Sequence, residues 1–284
     1  MSNRFDALRK ESVLGFGELL TGRPEESKAG MEPPRTGLRP VSPLSSAIRT
    51  IHFGASTGSP VFPFDDGQRL AAEQYQIIRT KILHDARKPQ LVLVSSASSG
   101  DGKTFTSINL AASLALKAES PILLLDADLR QPNVAKSLCI AGEPGLTDVL
   151  LGRTELDAAL VRAAQFPNLF VLPAGNAGGR AAELLDSSAW RLFVSQIRAR
   201  FGHVIVDAPP IAMVADFDLL QLVCDGTIVV ARPDHTERSA CAKALGSVSQ
   251  PKFLGVVLNG VEDWWLWKTP TYGYYGKDRS GRKR

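Results

Sequence analysis

The sequence predicts an α/β fold, a doubly wound and mainly parallel sheet with helices on both faces. Six short runs carry that prediction: QLVLVSS (90–96), PILLLDAD (121–128), NLFVLPAG (168–175), HVIVDAPP (203–210), GTIVVARP (226–233) and FLGVVLNG (253–260). They are rich in Val, Ile and Leu and do not alternate, so they fit strands buried on both faces. Helical patterns separate them, and strands that alternate with helices build βαβ units. No internal repeat interrupts this order, so one domain is expected over 68–262.

The flanks differ in composition. Residues 20–67 are rich in Pro, Gly and Ser with scattered apolar residues. Such a stretch buries too little apolar surface to offset chain entropy, and residues 1–67 are expected to form a disordered or extended arm. From residue 68, QRLAAEQYQIIRTKILHDA places Leu70, Ile77, Ile78 and Ile82 near helical spacing, with no breaker. The last stretch, 263–284, has no period, contains Pro and Gly, and is expected to be a flexible basic tail.

Composition excludes several function classes. The 284 residues carry 33 basic and 29 acidic side chains, a formal net charge of +4, without the basic, aromatic-interleaved surface of a nucleic-acid binder. Cys139, Cys224 and Cys241 lie far apart, show no metal spacing, and read as buried free thiols of a reducing compartment. The charged N-terminus MSNRFDALRKESVLGFGELL does not read as a signal peptide. No run reaches the roughly 18 apolar residues of a membrane helix, so a soluble, cytoplasmic protein is expected.

The first strand runs straight into Ala97-Ser98-Ser99-Gly100-Asp101-Gly102-Lys103-Thr104, followed by the helical FTSINLAASLALKA. Strand, glycine loop and helix in this order make a P-loop, which refines the fold to the P-loop NTPase type. Gly100 and Gly102 let the backbone turn its N–H groups toward phosphate oxygens, and the helix N-terminus adds partial positive charge. Lys103 would reach the β- and γ-phosphates, and Thr104 offers a hydroxyl to Mg²⁺. The candidate ATP contacts are Ser99, Gly100, Asp101, Gly102, Lys103, Thr104 and Phe105. Ala97 stands where the general pattern has glycine.

Phosphoryl transfer also needs a metal and a group that orients or deprotonates the acceptor. Two apolar strands end in aspartate: ILLLDADLR gives Asp126, Asp128 and Arg130, and HVIVDAPP gives Asp207. Ligands bind at the carboxyl ends of strands in open α/β sheets, so both sets should face the P-loop. Asp207 is the candidate Mg²⁺ carboxylate, acting through water. Asp126 and Asp128, two apart, share a face if the strand continues, and could serve as proton acceptor and second ligand. The alternative for this pair is a helix cap or a surface ion pair with Arg130.

Together ASSGDGKT, ILLLDADLR and VIVDAPP resemble the bacterial tyrosine kinases, a family that uses P-loop motifs in place of the eukaryotic protein-kinase fold. EPGLTDVLLG (143–152), NLFVLPAGNAGGRAAELLDS (168–187) and FLGVVLNG (253–260) resemble it too, so the likeness covers about 70–276. Septum-site and partition ATPases are cousins with a lysine early in the P-loop, where this chain has Ser98. The resemblance implies that Lys103, Asp126 and Asp128 are catalytic, with Asp126 taking the tyrosine proton. It makes Thr104, Asp128 and Asp207 the Mg²⁺ set, and places Asn259, with Arg232, at the adenine. It implies an autokinase that regulates exopolysaccharide or capsule synthesis. Its partners would be a membrane-embedded polysaccharide chain-length protein as activator, further copies of itself, and a tyrosine phosphatase. It would sit at the inner face of the plasma membrane through that partner. One departure concerns assembly: the family's Glu-x-x-Arg-x-x-Arg helix reads Glu73, Gln76 and Arg79 here. The competing reading is a partition-type switch ATPase without kinase activity.

Tyrosine placement favours the kinase. Of four tyrosines, Tyr272, Tyr274 and Tyr275 fall within four residues of the tail, spaced by glycine, and are the candidate phosphoacceptors. Trp264, Trp265 and Trp267 precede them, and could instead fold back onto the domain.

Overall fold

The computed structural model describes residues 44–45, 47–54, 69–140, 144–211 and 215–261. Among these residues an eight-stranded sheet runs in the order β1-β4-β5-β3-β6-β2-β7-β8. The strands are β1 (Arg49–Ile51), β2 (Leu91–Ser96), β3 (Ile122–Asp126), β4 (Val161–Ala163), β5 (Leu169–Leu172), β6 (His203–Asp207), β7 (Gly226–Ala231) and β8 (Phe253–Leu258). All neighbours are parallel except β4 and β5. The six apolar runs therefore form the expected mainly parallel sheet. In β2, β3, β5 and β7 every residue is buried, as strands covered on both faces must be.

Two short strands were not legible in the sequence. β4 is three residues long, and so is β1, which lies inside the stretch read as an extended arm. The sheet thus begins upstream of residue 68. Three residues are too few to show a period, and the RTI of β1 is held from outside itself. It pairs along Val161–Ala163, Ile48 is buried beside it, and the Gln165 amide accepts from the Phe53 N–H and donates to the Phe53 carbonyl.

Helices cover both faces. α1 (Arg69–Leu83) and α2 (Lys103–Ala115) pack Tyr75, Ile82, Ile108, Leu110 and Leu114 against Val92, Val94 and Leu124 on one side. On the other side α7 (Ser188–Arg200) and α8 (Asp216–Val223) bury Trp190, Phe193, Ile197, Phe217 and Leu220 against Leu91, Leu93 and Leu125. Alternate residues of one strand thus serve two cores. Ser187 caps α7 by accepting from the Trp190 N–H. In α1, Ile77 lies on the solvent side although the sequence counted it on the apolar stripe, and Tyr75 takes the buried place.

Tyr75 is 6% exposed, its ring meets Phe105 edge-on with centroids 6.5 Å apart, and burial pushes its hydroxyl up to about 12. It is therefore excluded as a phosphoacceptor in the folded protein. Tyr75→Phe should leave tyrosine phosphorylation unchanged, and in a spectrophotometric titration it should remove the tyrosine that ionises last. Loss of phosphorylation in this variant would contradict the packing.

The end of the sheet opposite the site is held by Asp225. It accepts from the Gln90 and Leu91 N–H groups at 3.0 and 2.8 Å and from both terminal nitrogens of Arg198 at 2.9 and 2.7 Å. Burial works to raise its pKa, but the Arg198 and backbone hydrogen bonds outweigh it and hold the group below the usual carboxylate range. A depressed carboxylate contributes stability above its unfolded pKa of about 3.9 and loses it as pH falls through the folded value. Asp225→Asn should cost about 2 kcal/mol in urea unfolding at neutral pH. The difference from wild type should shrink below about pH 4; a constant difference would contradict the ion pair.

Candidate active site

The site is assembled where β2, β3 and β6 end. Register puts Asp126 opposite Asp207, and Val94 opposite Asp207. Both acidic strand ends thus lie to one side of the strand that feeds the P-loop, Asp207 on its neighbour β6 and Asp126 one strand further on β3. Gly100 and Gly102 adopt φ of +88° and +93°, the left-handed region that admits glycine readily. Lys103 then starts α2, whose N-terminus no side chain caps. Its first N–H groups and helix dipole are left for an anion.

Lys103 Nζ lies 2.8 Å from Asp128 Oδ2 and 3.7 Å from Asp207 Oδ2. The Thr104 hydroxyl donates to Asp207 Oδ2 at 2.6 Å, and the Ser107 hydroxyl lies 2.9 Å from Asp207 Oδ1. Ser107 escaped the sequence reading. Its signal is the helix period: it stands one turn beyond Lys103 and Thr104 on the same face. Asp126 is fully buried and accepts from the Asp128 N–H at 3.2 Å and the Val134 N–H at 3.1 Å.

The strand does not continue through Asp128, as it would have to for the pair to share a pleat face. β3 stops at Asp126, and the chain turns so that Asp126 caps the short α3 (Val134–Ser137) while Asp128 reaches Lys103. Both carboxylates still converge on the P-loop. Arg130 pairs with neither: it binds the buried Asp216 through Nε and Nη2 at 2.7 and 2.9 Å. Part of the alternative reading, the helix cap, is thus realised in Asp126, while Asp128 faces the lysine.

Electrostatics follow from burial. Desolvation raises Asp126 well above the usual carboxylate range, and the neighbouring Asp207 raises it further. Asp207 is raised by the same desolvation, opposed by Lys103 and by the Thr104 and Ser107 hydroxyls. Burial alone would lower Lys103, yet Asp207 and Asp128 outweigh it and raise the ammonium pKa. Three buried carboxylates thus share one ammonium. That excess of negative charge, with a hydroxyl and two carboxylates as hard oxygen donors, fits a divalent cation such as Mg²⁺ at Thr104, Asp128 and Asp207.

The remaining predicted contacts are also placed. Ser99 and Gly100 are exposed on the loop. Phe105 turns its ring to Tyr75, so only its backbone is left for a phosphate. Asn259 donates from Nδ2 to the Asp101 carbonyl at 2.9 Å, and Arg232 packs over Gly260, where a Cβ would lie 3.1 Å from its Nε. Arg232 follows β7, the strand next to β2, and Asn259 follows β8, one strand further out, and reaches back to the P-loop. Tyr272, Tyr274, Tyr275 and the three tail tryptophans lie outside the described residues. On α1, Gln76 is exposed and Arg79 donates to the Ser113 carbonyl at 3.1 Å. Of the cysteines expected to be buried, only Cys224 is; Cys139 is exposed and Cys241 intermediate.

Known proteins share this architecture. The AAA domain family matches residues 90–238, which hold the P-loop and both acidic strand ends. Tyrosine-protein kinase YwqD of Bacillus subtilis (strain 168) is 36% identical over 220 residues, 76% of this chain and 91% of that protein. Tyrosine-protein kinase CpsD of Streptococcus agalactiae is 32% identical over 216 residues, 75% of this chain and 92% of that one. Among solved structures, the VpsO kinase domain is 30% identical with a TM-score of 0.61, covering 69% of this chain and 98% of that domain. By its likeness to these relatives over most of each chain, the chain belongs to the family of P-loop tyrosine-protein kinases.

Proposed function

We propose that the chain transfers the γ-phosphate of ATP to its own C-terminal tyrosines, Tyr272, Tyr274 and Tyr275, and so regulates exopolysaccharide or capsule synthesis. The observation that carries this is the set of three buried carboxylates around Lys103 at the carboxyl ends of adjacent strands. A bare nucleotide switch needs a metal carboxylate. Asp126 adds a second kind of group, a buried carboxyl whose raised pKa suits it to take a proton.

Each residue then has a task. The P-loop backbone and Lys103 hold the β- and γ-phosphates of the substrate. Thr104, Asp128 and Asp207 would hold a divalent ion, which when bound would supply charge neutralisation on the phosphates. Asp126 accepts the phenolic proton as the tyrosine oxygen bonds to the γ-phosphorus. The bond to the β–γ bridging oxygen breaks and its electron pair leaves with ADP. A cavity of about 400 Å³, lined by Leu129 and Arg130, which follow Asp128 in sequence, and by Pro132, Gly175, Asn176 and Ala177, would give an extended acceptor segment room to enter.

The partners follow from the same family membership. A membrane-embedded polysaccharide chain-length protein supplies the activating cytoplasmic segment and holds the kinase at the inner face of the plasma membrane. No helix among the described residues is long and apolar enough to cross a membrane, which is consistent with attachment through another protein. A homo-oligomer brings one copy's tail to another's site, and a tyrosine phosphatase resets it.

The experiment is autophosphorylation of phosphatase-treated protein with ATP and Mg²⁺, in the presence and absence of the partner's cytoplasmic segment. Mass spectrometry follows the C-terminal peptide. New phosphate on the tail tyrosines supports the proposal; steady ATP hydrolysis with an unmodified tail, partner segment included, would establish the switch ATPase instead.

A further inference from the structure

The Asp101 side chain lies at the centre of a hydrogen-bond cluster that nothing in the motif required. It is fully buried inside the P-loop. Oδ2 accepts from the Ser98 N–H at 2.8 Å, and Oδ1 accepts from the Thr236 hydroxyl at 2.7 Å. His235 Nδ1 lies 3.0 Å from the same Oδ1. A carboxylate oxygen accepts, so Nδ1 is the donor. Thr236 is bonded on its other side too: its hydroxyl oxygen accepts from the Arg232 N–H at 2.8 Å. A continuous chain thus runs from Arg232 through Thr236 and Asp101 to Ser98.

The contacts close on the loop from two directions. The segment between β7 and α9 (Arg238–Ser247) brings His235 over Gly100, where a Cβ would lie 3.2 Å from the imidazole. The segment after β8 brings Asn259, whose Nδ2 would lie 1.8 Å from a Cβ on Gly102. Two positive-φ glycines make the P-loop pliable, and its N–H groups must point into one concavity to hold phosphate. A loop not held in that shape must be ordered by the ligand, which subtracts from affinity.

We infer that Thr236 and His235 are positioning residues for phosphate transfer: by holding the Asp101 carboxylate they keep the P-loop in its phosphate-accepting shape. This rests on the nucleotide-binding part of the proposed function. Thr236 also ties the loop to the backbone of Arg232, the residue that the family resemblance sets beside the base.

The test is calorimetric binding of ATP, ADP and AMP, with Mg²⁺ present, to the full chain and to Thr236→Val, Thr236→Ser, His235→Ala and His235→Asn. Thr236→Val keeps the shape and removes the hydroxyl, so Kd for ATP and ADP should rise about tenfold, the effect of losing a hydrogen bond to a charged group. Thr236→Ser should stay within about twofold of wild type. AMP, with no β-phosphate for the loop, should bind as it does to wild type. His235→Ala should weaken ATP several-fold, and His235→Asn should recover it, since its amide N–H can stand in for Nδ1. In turnover the variants should raise KM for ATP more than they lower kcat.

Wild-type ATP affinity in Thr236→Val would overturn the inference. So would Thr236→Ser as weak as Thr236→Val, His235→Asn as weak as His235→Ala, or AMP weakened by the same factor as ATP. Wild-type protein that binds ATP but never modifies tyrosine would sink the kinase proposal while leaving this inference to the Kd ratios. Absence of ATP binding by wild type would end both.

Discussion

Lys103→Met is expected to lower phosphate transfer to the tail tyrosines at least about 10²–10³-fold, the loss that follows removal of one preorganised charge from a transfer site. Lys103 Nζ is the single side-chain cation within reach of Asp128 and Asp207 among the described residues. Its removal therefore acts on the folded state as well. Breaking one side of a buried ion pair costs about 3–5 kcal/mol, because the remaining charge stays buried. Metal-free, nucleotide-free Lys103→Met should thus be less stable than wild type in urea at pH 8. Protonating Asp207, which burial holds above the usual carboxylate range, relieves the repulsion, so the deficit should be smaller at pH 5 than at pH 8. A variant inactive yet equal to wild type at both pH values would show that the lysine does not neutralise the triad.

Asp126→Asn is the second large effect. Loss of a positioned general base lowers rates about 10²–10⁴-fold, and kcat should fall by that much while ATP binding changes little. The pH signature has the opposite sign to that of Asp225. Burial and Asp207 raise Asp126 in the folded state, so its folded form binds the proton longer than the unfolded chain does. Its contribution to stability is complete below the unfolded pKa of about 3.9 and is lost as pH rises through the folded value. Wild-type protein without metal or nucleotide should therefore weaken as pH rises above the unfolded pKa of about 3.9, and Asp126→Asn should flatten that slope. Autophosphorylation rates and urea midpoints across pH check the two parts separately. An Asp126→Asn protein with near-normal kcat would move the proton acceptor elsewhere.

The same contrast shows how buried charge divides between structure and function. Asp225 is half-buried, pairs with Arg198 and accepts from two backbone N–H groups, and its pKa falls. Asp126 also has two backbone N–H groups, but it is fully buried and lies beside Asp207, and its pKa rises. Charge matched locally stabilises the fold at neutral pH. Charge left in excess at the P-loop costs stability there and supplies a proton acceptor and metal ligands.

Much of this was determined by sequence alone. Six runs of Val, Ile and Leu specified the sheet, five of them because a strand buried on both faces has no solvent side to alternate with. The sixth, FLGVVLNG, forms the edge strand β8, which is half-open to solvent and not buried on both faces as its pattern predicts. The P-loop was legible because phosphate binding demands glycines, lysine and threonine at fixed spacing on one turn. Asp126, Asp128 and Asp207 were legible because strands of a parallel sheet all end on the same side. Tertiary structure decided the rest. β1 and β4 exist only through their pairing, since three residues carry no period. Arg130 chose Asp216, 86 positions away, over the aspartates beside it in sequence. Asp101 looked like one more P-loop residue until the fold brought His235 and Thr236 to its side chain from 134 and 135 positions away. Sequence patterns record what a residue must be for its own element. A hydrogen bond between two loops leaves no pattern in either, because its geometry is set by the strands that carry them.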